Sequence, residues 1–277
     1  MEHTKIELAG VPETLLWNLY QRATEARRGD RVLDDPWAVE LVDRIDYPFA
    51  EKFGSGSLGQ WQALRASRFD LEVRRFLADT PGGTVVALGE GLETQFFRVD
   101  DGRVRWLTVE LPETVAVRDR LLPPDPPRRR TLACSVLDES WMHAVEPGPV
   151  LISAQGLLMY LQPTEVHRLL AACAERFPGA TVVLDGVPRW FSDRTLAGTM
   201  RTAEGYVTPP MPWALDRAER AWLAALPAVA SVTELVPPRG RGIVYGGAFP
   251  VLNRIPAVRR LGVTGLPILR VRFADRP

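Results

Sequence analysis

The sequence predicts an α/β fold: a parallel sheet with a helical cap before it and an inserted lid late in the chain. Three observations carry that prediction. From residue 84 onward, short apolar runs alternate with helical segments, as TVVAL, VRWLTV, RTLACSV, PVLISA and TVVLD, the rhythm of strands joined by crossover helices. The first 80 residues lack such runs and repeat apolar residues at helical spacing instead. Between residues 187 and 240, proline and large aromatics crowd an irregular stretch that fits neither pattern.

Taken in order, residues 11–27 place Leu16, Leu19, Tyr20 and Ala23 on one helical face, and Phe69, Val73, Phe76 and Leu77 repeat the pattern in a second helix. The turn-rich segments DDPWA and FGSGS separate them. After Pro81-Gly82-Gly83 the strand-helix rhythm begins. Its best-defined helix starts at Pro163, presents Val166, Leu169, Leu170, Cys173 and Phe177, and stops at Pro178-Gly179. The segment with PRWFSD, GYVTPPMPW and ERAWLAALP has too many large aromatics for a linker and reads as a lid over a site. VASVTELV and PILRVRF alternate as closing strands, while GIVYGGAF is ambiguous. The boundaries are a cap over 1–80, a cofactor-binding core over 81–186, a lid over 187–240 and closing strands over 241–277.

Apolar residues make up 46% of the 277, enough for one large domain or a core with an attached cap. The 34 basic and 34 acidic residues balance, so no global field draws the chain to nucleic acid or an anionic membrane. The run Arg128 to Arg130 follows a Pro-rich turn and reads as a solvated loop. Cys134 and Cys173 lie in apolar patterns and read as small buried hydrophobes, with neither disulfide nor metal spacing. There is no signal peptide pattern and no apolar run of the ~18 residues that a membrane span needs. A reducing cytoplasm is the expected setting, and nothing in the sequence indicates an oligomeric state.

The stretch VVALGEGLETQFF carries the chemistry, because Glu110 ends the next apolar run. A strand running into a Gly-x-Gly turn brings backbone N–H groups against a nucleotide-like ligand, and an acidic residue about 20 positions on is placed for ribose hydroxyls. Gly89 and Gly91 are the turn, although glycine pairs after strands also serve as plain tight turns. A dinucleotide site, as in an NAD-type oxidoreductase, would want a third glycine where the chain has Thr94, and would set Glu90 near a pyrophosphate. S-adenosylmethionine has no phosphate and carries a positive sulfonium, so a carboxylate in the loop is compatible with it, whether Glu90 faces the ligand or points away.

From VPETLLWNLYQRA through DDPWA, RASRFD, ALGEGLETQFFR, VELPE and SVLDESW to AQGLLMYLQPTEV, PRWFS and PPMPW, the chain resembles the leucine carboxyl methyltransferase family. It looks most like the bacterial branch of tetracenomycin-type polyketide O-methyltransferases. The resemblance implies a class I, Rossmann-like methyltransferase sheet and S-adenosylmethionine as cofactor. It implies that Arg65 grips the methionine carboxylate with Arg22 nearby, that Gly89 and Gly91 form the cofactor loop, and that Glu110 with Leu111 takes the ribose. Ser135 and Val136 fall where many members have Asp-Leu beside the adenine, with Leu137 next, and Gln155 falls where many have glutamate. Glu93 and Gln95 replace the usual aspartate and arginine after the second glycine. Ser135 and Gln155 can still hydrogen-bond. On spacing alone, Arg65 reads by default as a solvated or ion-paired helix arginine.

The expected acceptor is a small molecule, aromatic or polyketide-like, held by Tyr20, Tyr160, Trp190, Tyr206, Met211 and Trp213, while Trp141 and Met159 read as core. Methyl transfer from a sulfonium needs alignment and exclusion of water, and a base only where the acceptor is protonated. His3 sits at the terminus, His167 beside an apolar helix stripe and His143 in a connection after a strand, and none has a base motif. No general base is therefore assigned, which favours a carboxylate acceptor over a phenol. A non-catalytic protein that keeps the fold for partner binding is the remaining alternative. Neither a metal nor a nucleic-acid partner is expected.

Overall fold

The computed structural model describes residues 4–6, 10–202, 204–255, 258 and 266–275. Two short strands, β1 (Thr4–Lys5) and β2 (Ile45–Asp46), pair in parallel beside the N-terminal helices α1 (Thr14–Ala26), α2 (Pro36–Arg44), α3 (Phe49–Phe53) and α4 (Gly59–Asp79). DDPWA proves to be a helix start: Pro36 occupies the first turn of α2, and the Asp35 side chain accepts from Ala38 N at 3.1 Å. The α1 face with Leu16, Leu19 and Ala23 packs on Leu41, Phe49 and Phe53.

The core follows as β3 (Thr84–Leu88), α5 (Gln95–Val99), β4 (Arg105–Glu110), α6 (Pro112–Leu121), β5 (Arg129–Ala133), β6 (Val150–Ala154), α7 (Pro163–Arg176) and β7 (Thr181–Asp185). Next come α8 (Arg189–Leu196), α9 (Arg217–Ala225), β8 (Val229–Leu235), α10 (Phe249–Leu252) and β9 (Ile268–Phe273). Seven strands form one sheet in the order β5-β4-β3-β6-β7-β9-β8. The first five are parallel, whereas β9 runs antiparallel to both β7 and β8. Every residue of β3 and β6 is buried, as befits strands covered on both faces. Phe69, Val73 and Leu77 of α4, with Phe96 and Val99 of α5, cover one face. Val166, Leu169, Leu170 and Cys173 of α7 cover the other, together with Trp141 and Leu223. Strand order reverses between β3 and β6, which opens a crevice at their carboxyl ends.

Three expectations need correction. The strand β8 lies within 187–240, the interval assigned to the lid, because its alternation pairs it with β9 over Val229–Leu235. Residues 241–255 are not closing strand: Val244–Ala248 form a π-helical turn that leads into α10. The turn brings the rings of Tyr245 and Phe249 to 5.1 Å, whereas a strand would hold residues four apart at about 13 Å. Finally, Arg128 to Arg130 is no solvated loop. Period-two alternation turns Arg129 inward, 3% exposed, with its guanidinium 4.9 and 5.2 Å from the Phe96 and Phe97 ring centres.

No helix among the described residues is long and apolar enough to cross a membrane. Those residues also contain no group of three or more metal-ligating side chains that could hold an ion.

Candidate active site

The crevice between β3 and β6 holds a cavity of about 180 Å³. Its floor is the turn after β3, where Gly89 and Gly91 have φ of +58° and +54°. A side chain at Gly89 would also strike Leu157, since a Cβ there would lie 2.7 Å from Leu157 Cδ1. The positive φ favours glycine, and a Cβ would in addition displace the Leu157 side chain.

Glu110, at the carboxyl end of β4, lines the same cavity. One carboxylate oxygen accepts from Gly91 N at 2.7 Å and the other from Leu111 N at 2.8 Å. Each oxygen keeps a further lone pair for a ligand hydroxyl. Burial pushes the Glu110 carboxyl above its usual range in spite of those donors.

Glu90 lines the cavity but turns its carboxylate inward. It accepts from Thr108 Oγ1 at 2.6 Å and Arg118 Nη2 at 3.0 Å, with Arg129 at 3.5 Å. It clamps the turn to β4, α6 and β5 and so points away from the ligand side.

Arg22 and Arg65 both reach this cavity, from α1 and α4. Arg65 Nε donates to Asp185 Oδ2 at 2.5 Å, and its Nη1 donates to Gln62 at 3.0 Å. Asp185, fully buried at the end of β7, also accepts from Gly156 N at 2.7 Å. Arg22 pairs with Asp35 at 3.2 Å and Glu93 at 3.1 Å and donates to Leu92 O at 2.8 Å. Arg98 joins Asp35, Glu93 and Asp70 into one buried cluster, each pair at 2.8 Å. Burial alone would raise the Glu93 carboxyl, but Arg22 and Arg98 override it and hold it at about 2.

This cluster accounts for the unusual residues of the loop. Gln155 Nε2 donates to Glu93 at 3.0 Å, where a glutamate at position 155 would set a second carboxylate against the first. Gln95 Nε2 donates to Asp70 at 3.0 Å.

A larger cavity of about 540 Å³ adjoins the first, and Thr14, Asn18, Arg65, Gly156 and Tyr160 line both. Trp190, Tyr206 and Met211 of the segment after β7 line the larger one, with Trp61, Met159 and Phe191. Burial raises the Tyr160 phenol, and a hydrogen bond with Thr14 and the nearby Arg65 lower it only in part. No histidine among the described residues lines either cavity. His143 is exposed on a short 3-10 helix, His167 bonds Glu219 at 2.8 Å and stacks on Trp222, and His3 lies outside the described residues.

Five expected contacts fall elsewhere. Tyr20 turns into the cap, where it stacks on Phe49 at 5.4 Å and donates to Gly54 O. Trp213 is 1% exposed in the core under α7 and α9, with its indole N–H on Glu219 at 3.0 Å. Ser135, Val136 and Leu137 do not line the smaller cavity. Their loop is tied to itself: Leu137 N donates to Ser135 Oγ, and Trp141 Nε1 donates to Val136 O at 3.0 Å, which seats Val136 in the core. Conversely, the sequence reading passed over Asn18 and Gln21, polar positions on α1 that line the larger cavity. Their only sequence signal is their spacing of three on the face that also carries Thr14.

The family profile described as leucine carboxyl methyltransferase matches residues 16–174. The chain is 35% identical over 187 residues to the tetracenomycin polyketide synthesis O-methyltransferase TcmP of Streptomyces glaucescens, covering 67% of this chain and 69% of that protein. It is 27% identical over 194 residues to the S-adenosyl-L-methionine-dependent methyltransferase dpfgK of Gibberella zeae, covering 64% and 65% of the two chains. Among solved structures, a putative methyltransferase from Thermobifida fusca superposes with a TM-score of 0.54 at 15% identity, covering 94% of this chain and 95% of the other. That likeness concerns the fold.

Proposed function

The chain belongs to the leucine carboxyl methyltransferase family, and on that premise we propose that it methylates an oxygen of a small aromatic or polyketide-like acceptor, with a carboxylate preferred. It is a methyltransferase, and its cofactor is S-adenosylmethionine, which supplies an electrophilic methyl group on a sulfonium sulfur. The observation that carries the proposal is the shared wall. A cavity floored by a glycine turn and flanked by Glu110 opens, past Arg65 and Tyr160, onto a larger one rich in aromatic rings. Two adjoining compartments are what an in-line displacement requires, because most of the barrier reduction comes from alignment and exclusion of water.

The residues present suit this cofactor. Gly89 and Gly91 would let it approach the backbone, Glu110 would offer two acceptors to its ribose hydroxyls, and Arg65, in the wall of the same cavity, would hold its carboxylate. Glu90 is paired with Arg118 and Arg129. Arg65 also lines the acceptor compartment, as does Arg201, against one carboxylate, Glu204. Asp185 already pairs with Arg65, so the charges balance; the lack of a histidine among the described residues of the wall suits an acceptor that is already ionised and needs no base.

Incubation with S-adenosylmethionine and flat aromatic acids should give a methyl ester, cleaved by mild alkali. With an ionised acceptor the rate should be nearly flat between about pH 6 and 8, well above a carboxylic acid's reference pKa of about 4. An alkali-stable aryl ether from the physiological acceptor, with a rate climbing through that window, would replace the carboxylate with a phenol.

A further inference from the structure

Helix α1 carries a polar edge into the larger cavity that neither charge alignment nor apolar packing explains. Gln21 lines that cavity and not the smaller one, and it is 2% exposed. Its Oε1 atom is buried without a hydrogen-bond partner, as is Asn18 Oδ1 one turn earlier. From the lid side, Tyr206 lines the same cavity, and its hydroxyl is likewise buried and unpaired.

Buried polar groups are normally paired, and a leucine or methionine at position 21 would fill the same space without the desolvation cost. Three such groups on one cavity wall form a site that lacks only its ligand's polar group. A side-chain amide presents either its oxygen or its NH₂ after a half-turn, and a phenol both donates and accepts. The one common substituent that satisfies every orientation is a hydroxyl.

Resting on the reading of this cavity as the acceptor compartment, we propose that Gln21, with Asn18 and Tyr206, recognises a hydroxyl on the acceptor remote from the oxygen that is methylated. The acceptor class is thus a hydroxylated aromatic acid, not a bare one. Gln21 is a specificity-determining residue: it discriminates between acceptors and takes no part in the transfer.

The test uses the intact protein saturated with S-adenosylhomocysteine. Binding of 2-naphthoate is compared with that of a set of monohydroxy-2-naphthoates differing in hydroxyl position. The wild type should bind the best hydroxylated member at least about 10-fold tighter than 2-naphthoate, because a wall built to pair with a hydroxyl rejects the analogue lacking it. Gln21→Met should bring that ratio within about 2-fold while holding the affinities for 2-naphthoate and for S-adenosylhomocysteine. Should that variant fail to fold, Gln21→Ala, which keeps the helix, is read the same way. Equal binding of all probes by the wild type, or a preference that survives in the variant, overturns the proposal. If S-adenosylhomocysteine binds and none of the probes does, the acceptor-compartment reading itself falls, and this proposal with it.

Discussion

The two compartments of the site are built on opposite principles. Around the smaller one, the charged groups are fixed by protein partners: Glu110 holds two backbone N–H groups, Glu90 two arginines, and Arg65 an aspartate and a glutamine, while Glu90 Oε1, Gln155 Oε1 and the shared Asn18 Oδ1 are buried without a hydrogen-bond partner. Around the larger one, the rings of Trp61, Trp190 and Phe191 surround polar atoms that have none. A wall whose groups are fixed in advance binds one ligand with little reorganisation. A wall with unpaired groups leaves part of its free energy to be supplied by the ligand, and that is where discrimination between ligands arises.

Removing the fixed charges should have the largest effect. Arg98→Met leaves Asp35, Asp70 and Glu93 short of a cation in a buried cluster, and urea unfolding should report a loss of about 3–5 kcal/mol. A loss below about 1 kcal/mol would mean the cluster is dispensable.

The lid separates the two principles within one segment. Trp213→Ala empties a fully buried site and should cost about 3–5 kcal/mol of stability. Trp190, 48% exposed at the cavity rim, should on truncation leave stability within about 1 kcal/mol and raise the acceptor KM severalfold with cofactor affinity unchanged. Similar stability losses in both variants would erase the distinction.

Acid tests the same cluster more gently. Glu93 is held at about 2 in the folded protein, below its ordinary 4.5, so its ionised form contributes stability above pH 4.5, and that contribution is lost as the pH falls toward 2. The Glu93→Gln variant should accordingly show a shallower acid limb in pH-dependent unfolding.

The smallest effect concerns the cofactor alone. Glu110→Ala should weaken S-adenosylmethionine by about 10- to 100-fold in calorimetry, the equivalent of two hydrogen bonds to a carboxylate, or about 1.5–3 kcal/mol. Because burial raises the Glu110 carboxyl, wild-type affinity should begin to fall at a higher pH on acidification than an ordinary carboxylate would dictate. Unchanged affinity in a folded Glu110→Ala protein would remove Glu110 from the cofactor site.

What was legible in the sequence divides along the same line. Gly89, Gly91 and Glu110 could be placed in advance because a strand, a turn and a second strand fix them relative to one another through the backbone. Tyr20 and Trp213 could not, since an aromatic residue on an amphipathic helix or in an irregular segment has two faces available, and tertiary packing chose the interior for both. The alternation that buries Arg129 was present in the sequence, but three successive arginines hid it. Gln21 escaped notice for a simpler reason: a glutamine on a helix is the ordinary signature of solvent, and only the neighbouring elements make its position interior.

The end of α4 near residue 80 looks in the sequence like a place where the chain could be divided. Buried ion pairs cross it: Arg22 to Glu93, Asp35 and Asp70 to Arg98, and Arg65 to Asp185. The N-terminal helices are thus no interchangeable module. A chimera joining them to the sheet of another relative would inherit half of each pair, and every unmatched half would be a charge stranded in the interior. Recombination among such enzymes must move the N-terminal helices and their partners on the sheet together, and with them the α1 and α4 residues that line the larger cavity.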